Sequence, residues 1–156
     1  MKGDPKIIDL LNEVLTNELA AINQYLLHSR MFANWGYRHL AEYERKESID
    51  EMKHADRLIE RVLFLDGLPN VQRIGKINIG QSVKEALAAD LALEHMAIPV
   101  LNKGMQLCRD VGDNGTELLL GDILKSEEEH VDWLEAQLEL VKQVGEQNYM
   151  AQQIRD

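Results

Sequence analysis

Six polar side chains stand at positions where a helix would bury apolar ones. The residues around them follow the three- and four-residue spacing of a buried helix face. A carboxylate that is buried without a partner destabilises the fold, and several that converge require cations. A metal centre is the simplest explanation of this pattern. The six residues are Glu18, Glu51, His54, Glu94, Glu127 and His130.

The spacing of these six residues repeats along the chain. Adding 76 to positions 18, 51 and 54 gives positions 94, 127 and 130. In each set a single glutamate is followed, 33 residues later, by an E-x-x-H pair. One glutamate from each of two helices, with E-x-x-H from each of two others, is the pattern of di-iron carboxylate bundles. The sequence therefore predicts a dinuclear site formed by two similar helical hairpins.

The ligand types restrict the metal. Four carboxylates and two imidazoles, with no thiolate, suit iron or manganese better than structural zinc. Two such ions, about 3.5–4 Å apart, can each give an electron to one oxidant. Glu51 and Glu127 are placed to bridge the ions, because they lie centrally on the two E-x-x-H helices. The remaining ligands then complete one ion each, Glu18 with His54 and Glu94 with His130.

Tyr25 lies two turns after Glu18 on the same predicted helix face. Two interpretations of this tyrosine remain open. It is either a further electron donor to the metal site or a core tyrosine whose hydroxyl group is hydrogen-bonded.

Capping residues, glycines and prolines divide the chain into four long helices and a short fifth. Asp4-Pro5 is typical of an N-cap followed by proline at the first helical position. Ser82 and Glu85 form a capping-box pattern. Pro99 lies inside the third helix and predicts either a kink or an adjacent bulge there. The helices are predicted from Pro5 to Asn34, Arg38 to Leu65, Ser82 to Gly112, Thr116 to Val144 and Glu146 to Ile154.

Connection lengths indicate the topology of an all-α four-helix bundle. The connections near Gly36 and Gly112 are short, so each flanking helix pair is predicted to be an antiparallel hairpin. Residues 66–82 form a loop that can extend to roughly 55 Å, more than the roughly 42 Å of a 28-residue helix. This length permits a crossover along the whole bundle, after which the third helix runs parallel to the second.

Composition limits the class of protein. The 156 residues are enough for one domain with a sizeable core. No apolar run reaches the roughly 18–20 residues of a membrane span, and a net charge of −10 disfavours nucleic acid as a partner. The single cysteine, Cys108, excludes an internal disulfide framework. With no secretory signal at the start of the sequence, we expect a cytoplasmic protein without membrane attachment.

The chain resembles the bacterioferritins over nearly its whole length. The resemblance implies a single ferritin-like di-iron domain over residues 1–156, whose six predicted ligands match the family's ferroxidase ligands one for one. It also implies iron storage: a 24-subunit shell of identical chains oxidises Fe(II) with oxygen or peroxide and keeps ferric mineral inside. The most specific stretches are Asn17-Glu18-Leu19, Ala21-Ile22-Asn23-Gln24-Tyr25, residues 47–56 (ESIDEMKHAD) and Gly67-Leu68-Pro69-Asn70.

Met52 points about 100° away from the helix face that carries the predicted metal ligands, because it follows Glu51 directly on a helix. A methionine at such a position usually packs at an interface. The family resemblance implies instead that it is an axial ligand of haem b, one haem being held by Met52 from each of two subunits. The haem would pass electrons inward for iron release, with a ferredoxin-type protein as the electron donor.

One position departs from the family pattern. Lys46 occupies a site where several bacterioferritins have a histidine that binds iron on the inner surface together with Asp50. The resemblance therefore does not extend to that inner-surface iron. The three histidines outside the repeated pattern, His28, His39 and His95, are interpreted as surface or helix-packing residues.

Two other classes of protein are compatible with parts of the pattern. A catalytic di-iron protein, such as a rubrerythrin-like peroxidase or an oxygenase-type bundle, would use the same ligands. The single cysteine argues against a fused rubredoxin site. A helical scaffold with acidic, solvated faces is disfavoured, because the glutamates lie within apolar stripes. Oxygen uptake with Fe(II) and no added substrate distinguishes these classes.

Overall fold

A computed structural model describes residues 1–154, and it is helical throughout apart from turns and one long connection. The last two positions of the predicted domain, 155 and 156, lie outside the described residues. The all-α prediction is confirmed. The helices are α1 (Pro5–Trp35), α2 (Arg38–Phe64), α3 (Val83–Val111), α4 (Asn114–Val144) and the short α5 (Glu146–Ala151).

Two predicted helix starts, those of α1 and α3, are confirmed by their caps. The Asp4 carboxylate accepts a hydrogen bond from the N–H of Lys6, and Ser82 accepts one from Glu85. α4 begins two residues earlier than predicted, because Asp113 caps it by accepting from the N–H of Thr116. α5 ends at Ala151 rather than Ile154.

α1 packs mainly against α2, and α3 against α4, so the two hairpins are formed as predicted. α1 also packs on α3, and α2 on α4. α3 continues as one helix across Pro99, whose side chain is exposed.

The connection between α2 and α3 follows α1 along its length, in the same direction. Its backbone N–H groups donate to α1 acceptors at successively later positions, which confirms the crossover and the parallel course of α2 and α3. The hydrogen bonds run from Asn70 to Asn12, from Gly75 to Thr16, from Asn78 to Gln24 and from Gly80 to His28.

Gly80 makes the closest approach in this segment. A Cβ atom at this position would lie 2.1 Å from the backbone nitrogen of Ala86, so a larger residue would push the crossover away from α3. Glycine thus allows the end of the crossover to lie against the first turn of α3.

Two main apolar clusters fill the bundle, and the predicted metal ligands lie between them. The lower cluster includes Leu11, Val14, Leu58 and Leu120, near the start of α1. The upper cluster surrounds Phe32, Leu40, Leu87 and Leu134, together with Tyr149 of α5. This arrangement holds a polar layer across the middle of an otherwise apolar core.

None of the helices in residues 1–154 has the length and apolar character needed to cross a membrane.

Candidate metal centre

The structure brings the six predicted ligands together as one buried cluster, formed by α1 to α4. Side-chain exposure is low for all of them, and His54 is the most accessible at 8%. Four of them, from three helices, offer ligand atoms that all lie within 4.8 Å of one another: Glu18, Glu51, His54 and Glu127.

His54 lies at the centre of this first group. Its Nδ1 atom is 3.2 Å from Oε1 of Glu127 and 3.5 Å from Oε2 of both Glu18 and Glu51. Three carboxylate oxygens thus face one ring nitrogen. A cation held among these atoms would neutralise charges that are costly to leave buried.

His130 lies at the centre of the second half. Its Nδ1 atom is 3.4 Å from Oε1 of Glu94, and a ligand atom of His130 lies within 4.8 Å of one from Glu51. Glu51 therefore belongs to both halves, as expected of a bridging ligand. The Tyr25 hydroxyl donates a hydrogen bond to Glu94, so the tyrosine orients one carboxylate of the cluster.

Each of the six residues has one buried atom without a hydrogen-bond partner among the described residues. A folded protein leaves few such atoms unpaired, so six that converge in one layer indicate a ligand. Oxygen and imidazole nitrogen suit iron or manganese. The unpaired atoms are Glu18 Oε2, Glu51 Oε2, His54 Nδ1, Glu94 Oε2, Glu127 Oε1 and His130 Nε2.

Without metal, protons must reduce the repulsion among these groups. Burial raises the pKa of Glu18, and burial together with the charge of Glu127 raises the pKa of Glu94 well above its ordinary value. Burial alone would lower the pKa of His54. The nearby carboxylates of Glu127 and Glu18 outweigh that effect and raise the His54 pKa to about 10. Metal binding must therefore release protons.

These shifts predict how the stability of the metal-free protein depends on pH. The pKa of His54 is higher in the folded state than its ordinary value of 6.5. Its contribution is therefore fully present below pH 6.5 and is lost as the pH rises toward 10. The raised glutamate pKa values act in the same direction, because these groups also hold protons more tightly when folded.

We therefore expect the melting temperature of the metal-free protein to fall between pH 6 and pH 8, while the Zn(II)-loaded protein changes less. Zn(II) is a redox-inert probe, and its binding strengthens as protons compete less. Thermal unfolding with chelator and with Zn(II), at both pH values, measures the difference. Equal melting temperatures in all four samples would contradict a buried metal centre.

Comparison with known proteins shows which sequences this chain is similar to. A model of the ferritin-like domain matches residues 8–144. The chain is 52% identical to bacterioferritin BfrA of Mycobacterium tuberculosis over 152 residues, covering 97% of this chain and 96% of the relative. It is 47% identical to the bacterioferritin of Brucella melitensis over 149 residues, covering 96% and 92%. The bacterioferritin of Streptomyces coelicolor is 46% identical, covering 97% and 90%.

The chain belongs to the bacterioferritin family.

Met52 of this bacterioferritin-family chain faces outward, as its position after Glu51 predicts. Its side chain is 55% exposed, and Ile49, one turn earlier on α2, and Leu26 on α1 are also exposed. The thioether is therefore accessible at an apolar part of the surface, away from the buried cluster. Lys46 is exposed on another face of α2, and Asp50 is partly exposed.

The sequence pattern missed four buried polar residues near the centre. Glu47, together with Glu51 and His130, forms a further group whose ligand atoms lie within 4.8 Å. Of the two alternatives predicted for His28, surface or helix packing, the structure has the second, because the side chain is completely buried and hydrogen-bonded. His39 and His95 are exposed, as predicted. The other two missed residues, Glu44 and Asp90, contact each other beside His28.

A signal for two of these residues was present in α2. Glu44, Glu47, Glu51 and His54 follow one another at three- and four-residue spacing, which is the spacing of a single helix face. Extending the stripe of Glu51 toward the start of the helix would have identified Glu44 and Glu47 as buried.

Proposed function

We propose that this chain is an iron-storage subunit with ferroxidase activity, which oxidises Fe(II) to Fe(III) at the buried cluster. The observation that supports it most is the set of six unpaired buried atoms, one from each predicted ligand. The proposal assigns two iron ions to each subunit. Glu51 and Glu127 bridge them, and the others complete the two sites, Glu18 with His54 and Glu94 with His130.

The chain's own residues prepare the site for this chemistry. Carboxylates stabilise the higher charge of Fe(III) better than that of Fe(II), which favours oxidation. Tyr25 holds Glu94 through its hydroxyl group. We assign to Tyr25 the additional role of an electron donor to the oxidant, which is oxygen or peroxide. The apolar clusters above and below exclude bulk water from the layer.

The storage role requires assembly. We propose that residues 1–156 form one ferritin-like domain, and that 24 copies enclose a cavity in which ferric mineral is deposited. Identity of about 50% to several curated bacterioferritins, over nearly the full length of each chain, supports this assignment.

We further propose that Met52 from two neighbouring subunits holds one haem b between them. An exposed thioether beside exposed apolar side chains suits a porphyrin that is sandwiched at an interface. A haem with two methionine ligands supplies electron transfer when bound. In this role it would accept electrons from a ferredoxin-type partner and support iron release.

Two measurements on the purified protein test this function together. Size-exclusion chromatography with absorbance in the Soret region reports the size of the assembly and its haem. Oxygen uptake with Fe(II) and no other substrate reports ferroxidase activity. A small, colourless protein that consumes oxygen only with an added organic substrate would identify an oxygenase-type bundle instead.

A further inference from the structure

A second polar layer lies next to the metal ligands, toward α5. It contains His28 of α1, Glu44 of α2 and Asp90 of α3, and each side chain is 0% exposed. His28 is one turn after Tyr25 on α1, and Asp90 is one turn before Glu94 on α3. Asp90 is therefore separated from Glu94 by roughly 6 Å along α3, whereas Glu44 lies two turns, roughly 11 Å, before Glu51 on α2.

Hydrogen bonds fix the state of His28. The backbone N–H of Gly80 donates to Nε2 of His28 at 3.0 Å, so this nitrogen must carry a lone pair. The proton of the neutral ring is then on Nδ1, which donates to Oδ1 of Asp90 at 2.8 Å. Gln24 donates to the same oxygen, also at 2.8 Å. Oδ1 of Asp90 thus accepts two hydrogen bonds.

This hydrogen bonding argues against a metal ion in the second layer, although the ligand atoms of His28, Glu44 and Asp90 lie within 4.8 Å of one another. Nδ1 of His28 carries a hydrogen and has no lone pair to offer. Only the two carboxyl groups remain as ligands, which is fewer than iron or zinc requires.

Glu44 has no hydrogen-bond donors of this kind. Neither of its oxygens has a hydrogen-bond partner, and Oδ2 of Asp90 has none either. Two adjacent buried carboxyl groups cannot both be ionised at low cost. One proton on Glu44, donated to Asp90, satisfies both groups. Burial and the adjacent charge of Asp90 raise the pKa of Glu44 well above its ordinary value, which agrees with this state.

The titratable groups around Glu44 come from several elements. His28 lies on α1, Tyr43 and Glu47 on α2, Asp90 and Glu94 on α3, and Tyr149 on α5. The carboxylates among them, Glu47, Asp90 and Glu94, all favour the protonated form of Glu44 by charge repulsion.

The proposed oxidation needs protons inside the bundle. Two Fe(II) ions give two electrons to dioxygen, which becomes hydrogen peroxide only by taking up two protons. The metal ligands cannot supply these protons, because carboxyl groups bind iron as carboxylates and histidines bind it as neutral imidazoles. Tyr25 is a poor acid, because burial and the charge of Glu94 raise its pKa well above its ordinary value.

We propose that Glu44 supplies one of these two protons. Its O–H bond breaks as the proton passes to Glu47, which lies one turn further along α2 and has a ligand atom within 4.8 Å of ones from Glu51 and His130. Glu47 then gives a proton to the oxygen being reduced, where a new O–H bond forms. The second proton comes from water that hydrolyses on Fe(III). The Glu44 carboxylate then regains a proton from those released when Fe(III) hydrolyses. This inference rests on the proposed ferroxidase function.

The variant Glu44→Gln tests the step, because glutamine keeps the shape and the hydrogen bond to Asp90 but has no acidic proton. The matched control is Glu42→Gln, which makes the same change at an exposed position of α2. Infrared spectra of the Zn(II)-loaded proteins should show the C=O band of a protonated carboxyl group in the wild type and the control, and not in Glu44→Gln. All three should bind two Co(II) ions per subunit.

The initial rate of Fe(II) oxidation at saturating oxygen should fall about 100-fold in Glu44→Gln and stay unchanged in Glu42→Gln. Glu44→Asp, which keeps an acidic proton, should recover most of the rate. It also provides the test if the glutamine variant does not fold.

Three results would overturn the inference: a carboxyl band that persists in Glu44→Gln, an unchanged oxidation rate, or a third Co(II) ion that this variant loses. If the wild-type protein itself fails to oxidise Fe(II), the proposed function is wrong and the proton-supply step fails with it. If the wild type and Glu44→Gln both oxidise Fe(II) at the normal rate, only the role of Glu44 is wrong.

Discussion

Replacing Glu51 by glutamine is expected to lower the initial rate of Fe(II) oxidation by about 100-fold or more. Glu51 is the residue whose ligand atoms lie within 4.8 Å of both the His54 group and the His130 group. Its loss therefore weakens both iron sites, and the loss of even an indirect metal contact costs about 10–100-fold in affinity or activity. Stopped-flow absorbance of Fe(III) at saturating oxygen measures the rate.

Glu60→Gln is the matched control, because Glu60 lies on the same helix with an exposed side chain. The control should oxidise Fe(II) at the wild-type rate. Co(II) titration should give two ions per subunit in the control and fewer in Glu51→Gln. A Glu51→Gln variant that binds two Co(II) ions and oxidises iron normally would refute the bridging assignment.

Replacing Met52 by leucine is expected to remove the Soret band while leaving assembly and Fe(II) oxidation almost unchanged. Leucine conserves the volume approximately, and the exposed Met52 side chain lies outside the buried cluster. Reductive iron release should slow, because electrons lose the haem through which they enter. The measurements are haem per subunit, elution volume, and the initial rates of oxidation and of release.

Met96→Leu provides the control, since Met96 on α3 is 56% exposed, close to the 55% of Met52. It should retain haem at the wild-type ratio. Haem retained in Met52→Leu would show that another residue is the ligand. Loss of oxidation together with haem would show that the two sites are not independent.

The fold was largely predictable because its signals are local. The cap residues Asp4 and Ser82 mark helix starts, and glycines such as Gly36 and Gly112 mark helix ends, where the structure has them in the left-handed region. For the crossover, the length of the connection showed only that it was possible. What establishes it is the series of hydrogen bonds to α1, which join residues more than fifty positions apart and leave no local pattern.

The buried cluster of six candidate metal ligands was predictable for a different reason. Each interrupts an apolar stripe, and the 76-residue offset relates all six. Glu44, Asp90 and His28 lack the second of these signals. Asp90 is next to the stripe that contains Glu94, and its burial depends on Gln24, on His28 and on a crossover glycine from elsewhere in the chain. A pattern along one helix cannot show such partners.

The same 76-residue offset shows where the two hairpins differ. The positions that correspond to Glu44 and Asp90 are Leu120 and Val14, both in the lower apolar cluster, and the position that corresponds to His28 is the buried Gly104. The repeated set of candidate ligands thus lies in surroundings that do not repeat: on one side they are hydrogen-bonding and acidic, and on the other they are hydrocarbon. Two ions held by the proposed centre would therefore be chemically inequivalent even though their ligands match.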